Sequence, residues 1–136
     1  MRAMRAVVIA VFLLGCSDKP APQPPKRPNN ELIVGTFERR KPDGETAIMF
    51  QGDGTFREAK NKGELEHTPH LADGTYKLEG DQLTLENSKG ACTESDGDKT
   101  ATYKVVLSKI GIRFTKVNDS CQRRSSMDGQ TWWRVR

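Results

Sequence analysis

The side chains able to do chemistry fall into a few short stretches of this 136-residue chain. His67-Thr68-Pro69-His70 holds both histidines, with Glu64 and Glu66 just before them. Zinc needs three or four converging ligands, and Pro69 works against a helical arrangement that would converge them, so this stretch reads as a solvated loop. Asp96-Gly97-Asp98 has the start of a calcium loop but not the ligand pattern that runs on to a closing Glu, and it reads as a turn. Gly52-Asp53-Gly54 is followed by neither Lys-Ser/Thr nor a helix, which excludes a phosphate cradle. No serine or cysteine belongs to a motif that supplies a general base and an orienting acid. The sequence therefore predicts no metal, no cofactor and no enzyme. Carboxylates brought together by the fold are the remaining route to acid–base chemistry.

The chain carries 22 Lys+Arg against 18 Asp+Glu, a net charge of +4. Residues 1–30 hold Arg2, Arg5, Lys19, Lys26 and Arg27 against Asp18, so 22 − 5 = 17 basic and 18 − 1 = 17 acidic side chains remain in 31–136. That neutral remainder lacks the footprint of a protein that tracks a phosphate backbone, and no nucleic-acid partner is expected.

Arg2 and Arg5 precede nine apolar residues, Ala6 to Leu14. Such a run suits the hydrophobic stretch of a signal peptide and is too short to span a bilayer. Leu13-Leu14-Gly15-Cys16 resembles the lipobox of bacterial lipoproteins. The resemblance implies removal of residues 1–15, a diacylglycerol thioether on Cys16 and a further acyl chain such as palmitate on the new amino terminus, together enough for lasting membrane anchorage. Ser17, where aspartate would retain the protein, implies the outer membrane, with the protein facing the periplasm. Residues 16–30 then form the lipidated cysteine and a tether. Residues 17–30 hold five of the seven prolines and no large apolar side chain. As extended polyproline II, at ~3.1 Å per residue, they hold the remainder up to roughly 40 Å from the bilayer. With Cys16 so used, Cys92 and Cys121 are the thiols left in an exported chain, and an oxidising compartment pairs them. Closing a loop of about thirty residues contributes ~3–4 kcal/mol in the chain-entropy account.

From Glu31 onward apolar residues recur at spacing two, interrupted by turn residues, which predicts an antiparallel all-β domain over 31–136. Hairpins are readable around Gln51–Gly54, Gly80-Asp81 and Ser108-Lys109. With Leu32–Arg39 first and Thr131–Arg136 last, about eight strands follow, and a closed up-and-down β-barrel removes their edges. Lys60–Leu71, Asn87–Lys99 and Asp119–Gly129 are the irregular connections, the last with a helical turn near Arg123–Met127. The inward set is Ile48, Phe50, Phe56, Tyr76, Leu78, Leu83, Leu85, Tyr103, Val105, Leu107, Ile112 and Phe114, with Ile110 beside them in the third hairpin. Either these residues surround a small apolar ligand or they fill the interior, leaving the rim or outer face to bind a protein, as barrel-shaped protease inhibitors do, or to serve an envelope-structural role.

Several separated features resemble the small lipocalin-like domains of bacterial envelope proteins: Gly35-Thr36-Phe37, Asp53-Gly54-Thr55-Phe56, Gly74-Thr75-Tyr76, Asp119-x-Cys121-x-x-Arg124 and Gly129-Gln130-Thr131-Trp132-Trp133-Arg134. The resemblance implies a barrel closed at its base by Arg134 packed across Phe37; the alternating inward set itself points to a small, largely apolar molecule bound within a monomeric barrel. The alternative at the base is a solvated Arg134 with one of the tryptophans as filler.

Overall fold

The computed structural model describes residues 27–42, 44–93 and 99–136. The expected signal peptide, the lipobox with Cys16, most of the tether and Asp96-Gly97-Asp98 lie outside them. The described chain is all-β apart from a short helix and two 3-10 turns. After α1 (Asn29–Leu32) come β1 (Gly35–Lys41), β2 (Gly44–Phe50), β3 (Thr55–Ala59), β4 (Ala72–Glu79), β5 (Gln82–Gly90), β6 (Thr100–Leu107), β7 (Gly111–Asn118) and β8 (Thr131–Arg134). Each strand pairs antiparallel with the next and β8 returns to β1, so the sheet is a closed eight-stranded meander. This is the up-and-down barrel that the alternation predicts.

The turns follow from local chemistry. Gly80 adopts φ 60° in the two-residue connection between β4 and β5, a conformation that costs glycine little. Gly74 has a different role. A Cβ there would lie 2.1 Å from the Glu86 carbonyl oxygen, so only glycine lets β4 approach β5 beside the irregularity at Asp73/Gly74.

Three segment boundaries differ from expectation. Leu32 lies in α1 rather than in the first strand: Pro28 precedes the helix, whose Leu32, with the following Ile33, packs into the core at 6% and 0% exposure. β5 continues to Gly90, so Asn87 to Gly90 are strand rather than loop, because β4 is long enough to pair with them. Ile110, expected in the strand after the third turn, lies outside it, since β7 begins at Gly111. Leu107 pairs with Ile112, and Ser108 N–H donates to the Gly111 carbonyl, which leaves Ile110 exposed on the turn.

The two ends of the barrel are built differently. At the end bearing the short turns, α1 lies across the base, and Asn29 Nδ2 donates to the Gly80 carbonyl at 2.9 Å. The Arg134 guanidinium sits 4.7 Å from the centre of the Phe37 ring. It donates to the carbonyls of Lys109 (3.1 Å), Val34 (3.2 Å), Ser108 (3.3 Å) and Leu32. One side chain thus ties the helix, the start of β1 and the β6–β7 turn together. Trp132 is fully buried in the core and Trp133 faces solvent. The opposite end carries the long connections. There the 3-10 turn Gly63–Glu66 folds back on the outside of the wall, where Leu65 packs on Ala47 and Ala59.

Arg134→Ala should lower stability by about 2–3 kcal/mol, because the carbonyls at the base lose a charged donor. Arg134→Lys should recover only part of this, since an ammonium cannot span the same four acceptors. Urea denaturation midpoints of the two variants check the order.

Candidate functional site: the charged mouth of the barrel

All twelve nominated interior residues point inward and belong to one apolar cluster with Phe37, Trp132 and Met127. Ten are fully buried, while Tyr76 and Leu78 are half-buried. Their rings interlock edge to face: Phe37 on Phe50 at 6.2 Å, Phe50 on Tyr76 at 5.1 Å, Tyr103 on Phe114 at 6.1 Å and Phe114 on Trp132 at 6.0 Å. Such contacts add ~0.5–1.5 kcal/mol each to the burial of apolar area. Side chains therefore occupy this part of the interior themselves.

The alternation along the strands carries polar residues inward only toward the other end. On β1 the inward position after Phe37 is Arg39, on β3 the one after Phe56 is Glu58, and on β5 the one after Leu85 is Asn87. The Arg39 guanidinium lies 5.8 Å from the centre of the Trp132 ring. Asn87 is 3% exposed; its Nδ2 donates to the Ala91 carbonyl at 2.8 Å, while its Oδ1 has no partner among the described residues.

Above these residues the connection before β8 closes part of the mouth. The disulfide Cys92–Cys121 joins it to the chain after β5. Asp119 then accounts for the Asp119-x-Cys121-x-x-Arg124 pattern. Its carboxylate accepts from Cys121 N–H at 2.9 Å, from Arg124 Nη1 at 3.3 Å and from the Tyr103 hydroxyl. Arg124 is 3% exposed, and its Nη2 also donates to the Cys92 carbonyl at 3.4 Å. Burial, reinforced by the Asp119 carboxylate, pushes the Tyr103 hydroxyl well above the ordinary tyrosine range. It therefore stays a donor.

A cavity of about 560 Å³ opens beside this cluster, lined by Glu58, Ala72 and Asn87 from the strands and by Cys92, Arg123 and Arg124 from the connections. No protein-family model, curated protein or solved structure matches this chain. The chemistry of the mouth must therefore be read from the side chains alone. Burial raises the Glu58 carboxyl from 4.5 to about 7, and the positive charges of Arg39 and Arg124 only partly offset it. A carboxyl so placed can take up or release a proton near neutral pH, the property expected of a group that meets a ligand.

The other nominated stretches do not converge on this cavity as a metal site. His67 is exposed. His70 borders the cavity, but its ring contacts Asp73 Oδ1 at 2.7 Å through Nδ1 and the Leu65 carbonyl at 2.9 Å through Nε2, which secures the loop before β4. Among the described residues no group of three His, Cys, Asp or Glu side chains is placed to hold a metal ion. Asp53 accepts from the Thr55 hydroxyl and amide in its turn, and these bonds lower its carboxyl below the usual range.

Glu58, Arg39 and Asn87 are residues that sequence reasoning passed over. The signal was present: each stands two positions after an inward apolar residue on a readable strand.

The raised Glu58 carboxyl sets a sign for pH dependence. Between its unfolded value near 4.5 and its folded value of about 7 the native state holds the extra proton. Stability at this site is therefore complete below about 4.5 and is lost as pH rises through about 7. Glu58→Gln, which mimics the protonated form, should be close to neutral at acid pH and should stabilise the protein by ~1–3 kcal/mol in mild alkali. Denaturation curves at the two pH values check this.

Proposed function

We propose that the protein is a lipoprotein of the bacterial cell envelope, anchored through Cys16, and that its barrel binds a protein partner at the rim or outer surface rather than carrying an apolar molecule inside. The observation that supports this reading is the continuity of the apolar cluster. Phe37, Phe50, Tyr103, Phe114 and Trp132 are each no more than 1% exposed and belong to one buried cluster, with ring contacts between neighbouring strands at Phe37–Phe50, Tyr103–Phe114 and Phe114–Trp132. A small barrel needs that packing for its own stability, which leaves its surface for recognition. The Leu13-Leu14-Gly15-Cys16 motif and the proline-rich 17–30 stretch support the anchor and the spacer. The outer membrane, facing the periplasm, is the location this reading takes. No reaction is assigned to the protein.

A second reading has its own support. The mouth cavity of about 560 Å³ is large enough for a small molecule, and its lining of Glu58, Asn87, Arg123 and Arg124 suits a polar one. Such a ligand would alter the titration of Glu58.

Native mass spectrometry of the protein extracted from its own host's membranes should give the polypeptide with its covalent lipid and no bound apolar molecule. A stoichiometric apolar ligand would overturn the filled-module reading. Separately, Cys16→Ala should abolish incorporation of labelled fatty acid and release the protein from the membrane fraction. Unchanged labelling would refute the anchor.

A further inference from the structure

The outer wall of the barrel carries exposed Lys77, Glu79, Lys104, Arg113 and Thr115 together with Val106 and Val117, each 64% exposed. Large apolar side chains are also exposed at the base. Val34 is 41% exposed, Ile110 62% and Trp133 53%. They gather around Arg134. The Val34 carbonyl accepts from Arg134 Nη1, the Ile110 carbonyl accepts from Arg134 N–H at 2.8 Å, and Trp133 is its chain neighbour, paired with Gly111. Because Gly111 has no side chain, the indole of Trp133 has no cross-strand cover on that side.

Three features bear on what this patch could rest against. The described chain begins at Arg27, and α1 lies across the same base, so the segment leading from Cys16 enters at this end. From Cys16 to Arg27 is 27 − 16 = 11 residue steps. At most ~3.6 Å per residue, they reach about 40 Å, an upper limit that allows the base to rest on the bilayer as well as to stand off it. The charges also fit an anionic surface. Lys109 and Arg136 are exposed beside the patch, whereas Glu38, in register with Trp133, is ion-paired with Arg40 at 3.1 Å. Glu31 on α1 and, on the short turns at the same end, Asp53 and Asp81 are the opposing exposed carboxylates, Asp81 being ion-paired with Lys104 at 3.5 Å. Finally, an exposed tryptophan flanked by aliphatic and basic side chains has the composition that settles at a membrane–water interface.

We propose that the base of the barrel is a membrane-resting surface, in which Val34, Ile110 and Trp133 lie on the anionic phospholipid headgroups of the bilayer that holds the anchor. This rests on the lipoprotein reading and adds an orientation to it. The base lies on the membrane, and the mouth with Glu58 and the Cys92–Cys121 disulfide points away, open to its partner.

The two tryptophans make the contact measurable, since Trp132 is fully buried and Trp133 is exposed. The protein purified from membranes would be placed in nanodiscs of phosphatidylglycerol and phosphatidylethanolamine, with and without brominated acyl chains, and its intact mass recorded. Brominated lipid should remove about half of the tryptophan emission, the share of the one tryptophan at the interface. Trp133→Phe should make the remaining emission insensitive to bromine, and Ile110→Asp, a surface change that keeps the reporter, should weaken the quenching. A lipidated protein whose Trp133 is unquenched overturns the membrane-resting surface and leaves the anchor standing. If Trp133 is then also shielded from iodide, a protein or a second copy covers the patch instead. Quenching in a protein that lacks the lipid mass supports the surface and rejects only the anchor. Absence of both rejects both.

Discussion

The sheet closes through a strand of only four residues. β8 meets β1 at Phe37–Arg134 and Glu38–Trp133, and much of what keeps the barrel shut comes from the side chains of this strand. Arg134 packs across Phe37 and donates to carbonyls from the helix, the start of β1 and the β6–β7 turn, while Trp132 fills the interior behind it. Without that closure β1 and β8 would present unpaired backbone groups, and the apolar face inside would open to water. The helix before β1 has little stability of its own at four residues and depends on the same guanidinium.

From this base the interior changes character along the barrel. Interlocked aromatic rings fill the lower part, and polar groups take over toward the mouth, where Asp119 gathers Tyr103, Arg124 and the backbone of Cys121 around one carboxylate. The disulfide holds that connection over the opening. Arg124, buried and ion-paired, forms part of the wall of the mouth, whereas Glu58 remains the group whose charge burial opposes. A packed base joined to a charged mouth suits a rigid presenter of a polar surface better than it suits a container for an apolar cargo.

Much of this organisation could be read in the residues. The period-two pattern in Tyr76-Lys77-Leu78 and Leu83-Thr84-Leu85 specified the hairpin, its register and its inward face, since a slip by one residue would turn the apolar set outward. The same pattern failed where a segment left the sheet. Leu32 has the composition of a strand residue, but Pro28 and the open base made a helical turn the better way to bury it. Ile110 continued the alternation but fell on a turn set by the pairing of Leu107 with Ile112. Arg39, Glu58 and Asn87 were the instructive omissions. Extending each strand's alternation by one step would have placed all three inside, and their polarity argued against doing so.

By itself the sequence determined the all-β class, the strand count, the neutrality of residues 31–136 and the inward apolar set, because these follow from local periodicity and composition. It also offered Cys92 and Cys121 as partners by elimination. Only the tertiary structure decided that the apolar set packs against itself, that Arg134 rather than a solvated alternative closes the base, and that Glu58 shares a cavity with Asn87, Arg123 and Arg124. Those outcomes depend on distances across the closed barrel between residues far apart in the chain, and strand periodicity contains no information about such distances.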